Sequence, residues 1–144
     1  MSPSELAFSL RNDRGEIARM FSLLEPFCRA HGISDDDLFN IRLVLDEAVI
    51  NVIVHGYDDT AEHLIDVVLR LDGGTLHIQI RDDGVPYSPL DAPTPRFDVP
   101  IEQRRIGGLG VHIVKSLARD VRYRREGNRN HLDIDMAVTR KAEC

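Results

Sequence analysis

The chain has 144 residues, 42% of them hydrophobic and 29% charged, the dimensions of one soluble globular domain with a sizeable core. A net charge of −6 and a pI near 5.4 argue against a nucleic-acid-binding face. The two cysteines, Cys28 and Cys144, match no metal or redox spacing, which points to free thiols in a reducing compartment. No secretory leader opens the chain and no apolar run is long enough for a bilayer, so a cytoplasmic protein is expected, without membrane or direct nucleic-acid contact.

Leu6 to Leu10 alternates as a short strand. Asp13 can cap a helix from Gly15 to Ala30, with Gly32 at its C′ position; Pro26 should bend that helix or end it early. Ser34 then reads as the N-cap of a long helix, with Asp37 in the reciprocal place of a capping box and Gly56 at the far end. Strands follow at Leu64 to Leu71 and Leu76 to Arg81 around an Asp72-Gly73-Gly74 turn. From Asp82 to Ile106 periodicity vanishes and five prolines appear, the mark of a functional or disordered loop. Gly107-Gly108-Leu109-Gly110 leads into a helix from about Val111 to Arg119. A hairpin around Gly127-Asn128 pairs Val121 to Arg125 with His131 to Val138. With no repeat or linker, residues 1–144 read as one α+β domain, helices covering one face of a largely antiparallel sheet.

The long helix is apolar nearly all round, and Glu47, Asn51 and His55 break that pattern at i, i+4 and i+8, so they share a narrow stripe. Buried polar groups need partners. Either these three bond one another and nearby backbone, or they line a pocket for a ligand or metal; the alignment of three favours the pocket. Asp82, after a strand and before Gly84, can accept from an exocyclic amine or simply form a turn. Gly108 and Gly110, at a helix start, let backbone approach a phosphate, though glycines there often serve only the turn.

Taken together and in order, Asp46-Glu47-Ala48, Asn51, His55-Gly56-Tyr57, Asp82-Asp83-Gly84-Val85-Pro86-Tyr87 and Arg105 to Lys115 resemble the nucleotide-binding boxes of the histidine-kinase-like ATPases, the Bergerat fold shared with gyrase. The similarity is nearest to the small serine/threonine protein kinases that act as anti-sigma factors. That resemblance implies a two-layer sandwich, a mixed and mostly antiparallel sheet under three helices, with an ATP lid over about 87–106. It implies ATP and Mg²⁺ as cofactors: Asn51 as the metal ligand, Asp82 on the adenine amine, and Glu47 as the general base. His55, Gly84, Gly108, Leu109 and Gly110 complete the implied nucleotide contacts, with Arg104 or Arg105 near the γ-phosphate. The implied partners are a sigma factor and a small antagonist protein that accepts the phosphate, and a homodimer is admitted. Pro86 and Ile106 stand where histidine kinases commonly have glycine, and no phospho-accepting histidine segment precedes the domain. The alternative reading is a nucleotide-dependent partner-switching module that transfers no phosphate; a third is a stand-alone ATPase.

Overall fold

The computed structural model describes residues 4–86, 88 and 108–139. The expected lid, with Arg104 and Arg105, lies outside the described residues except for Ser88. Along the chain run β1 (Glu5–Arg11), α1 (Glu16–Ala30), α2 (Asp35–His55), β2 (Leu64–Asp72), β3 (Thr75–Asp82), α3 (Gly108–Leu117), β4 (Asp120–Glu126) and β5 (Arg129–Ala137). The strands form one sheet in the order β1-β2-β3-β5-β4. Every pairing is antiparallel, so the described sheet is not mixed as the resemblance implied.

Period-2 alternation puts Ile65, Val67, Leu69, Leu76, Ile78, Ile80, Leu132, Ile134 and Met136 on one face of the sheet, all buried. Leu24, Phe27, Ile41, Val44, Leu45 and Val49 of α1 and α2 close over them. At about 25 cal/mol per Å² of apolar surface removed from water, this contact is the main stabilising term.

Local chemistry explains the boundaries. Gly73 and Gly127 take positive φ, 59° and 60°, in the two hairpin turns. Helix α1 ends in a Schellman arrangement, with Gly32 at φ 70° and the Ile33 N–H donating to the Cys28 carbonyl.

Three local expectations change. Of the two outcomes expected at Pro26, an early end does not occur, since α1 runs on to Ala30; Pro26 is solvent-exposed while Phe27 and Cys28 beyond it are buried in the core. Asp13 is not the helix cap; its Oδ1 accepts from the Gly15 N–H, and Gly15 precedes the helix with no side-chain cap. At α2, Ser34 Oγ accepts from the Asp37 N–H at 3.2 Å as expected. The Asp37 carboxylate, however, accepts from the Thr139 N–H, and the Ser34 N–H donates to the Thr139 carbonyl. The chain after β5 thus takes the place of the capping box's second bond.

Candidate functional site

The long stripe of α2 splits by exposure. Asn51 is buried at 5% exposure, Glu47 is half-buried, and His55, on the last turn, is exposed. The expected uniformly buried stripe is therefore corrected to one buried amide with two more accessible neighbours. The Asn51 side chain makes no hydrogen bond among the described residues, and its Nδ2 is fully buried. Burial, and secondarily the nearby Asp46, pushes the Glu47 carboxyl above its ordinary value.

Opposite Asn51, at the end of β3, stands Asp82, 4% exposed. Its Oδ1 accepts from the Gly84 N–H and from Asn130 Nδ2, each at 2.9 Å. Asn130, on β5 and 5% exposed, also donates to the Val85 carbonyl at 2.9 Å. The Asn130 amide oxygen in turn accepts from the Tyr123 hydroxyl and Arg125 Nη1, and Arg125 Nη1 donates to the Gly84 carbonyl at 2.7 Å. Asp82 is thus both a pocket residue and a member of a buried network.

Glycine brings the two halves together. The Val85 N–H donates to the Gly56 carbonyl at 2.7 Å, and a Cβ on Gly84 would lie 2.1 Å from that same oxygen. Only a residue without a side chain lets the β3 exit pass this close to the end of α2. The connection after α2 is braced as well: the Tyr57 ring stacks on His63 with centroids 4.3 Å apart. His63 bridges Asp59 and Asp83 at 2.8 and 3.1 Å, which raises its affinity for a proton, the Asp59 bond contributing most.

A cleft results between α2 and the sheet, lined by Ala48, Asn51, Val52, Gly56, Ile80, Asp82, Tyr123, Asn130 and Leu132. It brings Asn51 and Asp82 together. Glu47 and His55 do not line it, Gly84 supports it through Asp82, and Gly108, Leu109 and Gly110 form the first turn of α3, which packs on α2. Its cavity of about 20 Å³ holds about one water. Apolar walls with one buried carboxylate and one unpartnered amide suit a flat heterocycle whose amine meets the carboxylate.

Residues 10–136 match the model of the histidine kinase-like ATPase domain family. The chain belongs to that family. Curated relatives of this ATPase domain include the anti-sigma F factors of Geobacillus thermodenitrificans, 30% identical over 125 residues, and Bacillus cereus, 32% over 120. The alignments cover 86% of this chain and 84% of the first relative, and 75% and 82% for the second. A structure of the RsbU and RsbW domains of a Mycobacterium tuberculosis protein superposes with a TM-score of 0.70 at 18% identity, over 98% of this chain and 34% of that one. The histidine kinase AdeS of Acinetobacter baumannii reaches 0.50 at 14%. Both share the fold of this ATPase domain, and the chain spans about a third of the first. Among the described residues no helix is long and apolar enough to cross a membrane.

Sequence reasoning missed Asn130, Tyr123 and Arg125 in the network around Asp82, and the contact of Gly56 with Gly84. Arg125-x-x-x-x-Asn130 has no motif of its own. Only the register that pairs Asp82 with Asn130 could have singled it out.

Proposed function

We propose that this chain is an ATP-dependent serine/threonine protein kinase of the cytoplasm that also holds a sigma factor, with a small antagonist protein as its phosphoryl acceptor. The observation that carries the reading is the pairing of Asn51 and Asp82 across one cleft, in an ATPase-family chain whose relatives are named anti-sigma F factors. Asp82 accepts from the adenine amine, held in place by Gly84 and Asn130. Asn51 fits a site for Mg²⁺ and phosphate: a buried amide without a partner among the described residues can turn its oxygen to a cation and its N–H to a phosphate oxygen. Bound there, the metal would supply charge neutralisation to the phosphates. Gly108, Leu109 and Gly110, at the N-terminal end of α3, offer backbone N–H groups to the same phosphates, and His55 borders that end of α2. Glu47, one turn before Asn51 and with a raised pKa, is the base that orients and deprotonates the acceptor hydroxyl.

One observation favours a second reading, a nucleotide-dependent binding module without phosphoryl transfer: Glu47 does not line the cleft. Glu47→Gln separates the two, since it keeps shape and removes the charge. The variant should bind ATP nearly as well as wild type and transfer phosphate to the acceptor protein at least about a hundredfold more slowly. Equal transfer rates would remove Glu47 from the role of base. A wild-type protein that binds ATP and phosphorylates no partner would leave the binding module.

A further inference from the structure

The sheet face turned away from the helices carries its own chemistry. Its side chains stand in cross-strand rows, and one row crosses all five strands: Ser9, Asp66, Arg81, His131 and Arg124. Arg129, two residues before His131, projects from the same face. Directly paired positions hold their Cβ atoms about 4.5–5.5 Å apart, so His131 sits between two guanidinium stems.

The carboxylates near this row are engaged or displaced. Asp66 accepts from Ser9 Oγ at 2.6 Å and from Arg129 Nη2 at 2.7 Å. Glu126 meets Arg124 at 3.5 Å with both side chains more than half exposed, a weak pair. Asp133 stands in the next row, opposite Gln79 and Arg122. Among the described residues Arg81 donates only to the neutral Gln79 amide, at 3.2 Å.

Two nitrogens at the centre are left over. His131 Nδ1 and Arg129 Nε are buried and have no hydrogen-bond partner among the described residues. Polar groups are rarely left so without a ligand or water to meet them. Burial, and then the charges of Arg124 and Arg81 against an opposing contribution from Glu126, hold His131 below the ordinary imidazole value. The species that answers both needs is an oxyanion, which accepts from several N–H groups at once and neutralises the guanidinium charge.

We propose that His131, with Arg81, Arg124 and Arg129, forms an oxyanion site on the open face of the sheet that takes a phosphate group. It lies on the opposite side of the sheet from the Asn51–Asp82 cleft and does not depend on the function proposed for that cleft. Such a site would let the protein sense phosphate, free or carried on a side chain, while the cleft is occupied.

The test follows His131 directly in the full chain. The imidazole resonance is identified by its loss in His131→Gln and titrated with inorganic phosphate, against sodium chloride at equal ionic strength. A saturable shift at millimolar phosphate is expected, with the imidazole pKa rising by about half a unit or more. In an Arg81→Gln/Arg124→Gln variant the saturation should disappear while the other histidine resonances keep their positions, which shows the fold intact. A parallel titration with O-phosphoserine distinguishes the sources: binding several-fold tighter than inorganic phosphate assigns the site to a phosphorylated side chain, and equal binding assigns it to free phosphate. The proposal is overturned if His131 responds no more to phosphate than to chloride, or if the double variant saturates at the same concentrations as wild type.

Discussion

Asp82→Asn keeps the shape of the side chain and changes only what its outer atom offers. The retained amide oxygen can still accept from the Gly84 N–H and Asn130 Nδ2, both 2.9 Å away. Each of those bonds falls from the charge-assisted range of about 1.5–3 kcal/mol to the neutral range of about 0.5–1.5. Two such bonds give a stability loss of about 2 kcal/mol, which leaves the domain folded. At the ligand the change is sharper, because an amide N–H₂ facing the adenine amine sets donor against donor. Loss of one charged hydrogen bond there costs about 1.5–3 kcal/mol, or about 10- to 150-fold in Kd. Titration calorimetry with ATP and Mg²⁺ reads the second quantity, and urea unfolding reads the first. Unchanged nucleotide affinity would remove Asp82 from the adenine role; unchanged stability would show that the Asn130 network contributes nothing to the fold.

Gly84→Ala should cost about 1–3 kcal/mol of stability, since its Cβ would sit 2.1 Å from the Gly56 carbonyl, and should weaken ATP binding by moving Asp82; wild-type values in both assays would refute the close approach. Glu16, buried between Arg11 and Arg19, has its carboxyl lowered from the ordinary 4.5 to about 2, chiefly by the Arg19 bond and then by Arg11. A depressed carboxylate pKa contributes stability above its unfolded value and loses it as pH falls toward the folded one. The urea midpoint of wild type should therefore drop between about pH 4.5 and 2, and that of Glu16→Gln should be lower at neutral pH and flatter across the same window. Cys28 is fully buried, and burial pushes its thiol up to about 11. In a Cys144→Ser background, iodoacetamide at pH 8 should modify it at least about a hundredfold more slowly than in urea.

The elements with strong local signals were legible in the sequence. The helix Asp35–His55 follows from its capping serine and unbroken apolar content, and both hairpins follow from alternation broken by glycine turns. Asp82 was legible because it stands between a strand and a glycine. What escaped depends on partners distant along the chain. Asn130 reaches Asp82 only through the β3–β5 pairing, and Asp37 meets Thr139 across nearly the whole sequence. An early end at Pro26 was one of two outcomes its local cost suggested, yet α1 continues through the buried Phe27 and Cys28. The exposure of His55 escaped for a similar reason: helical periodicity gives a stripe's direction, not how deeply each residue along it is buried.

The antiparallel neighbours β3 and β5 have a consequence for how this chain can change in length. About 25 residues separate the end of β3 from α3, and the excursion is anchored at its start by the bonds of Val85 to Gly56 and Asn130. The sheet register is set without it, by direct contact of the two strands. Closure entropy grows only as the logarithm of length, so ten added residues would cost about 0.3 kcal/mol. Insertions and deletions in that stretch are nearly neutral for the fold. The stretch between β3 and α3 can therefore be resized by evolution, or by an engineer, while the framework that brings Asn51 and Asp82 to one cleft stays as it is.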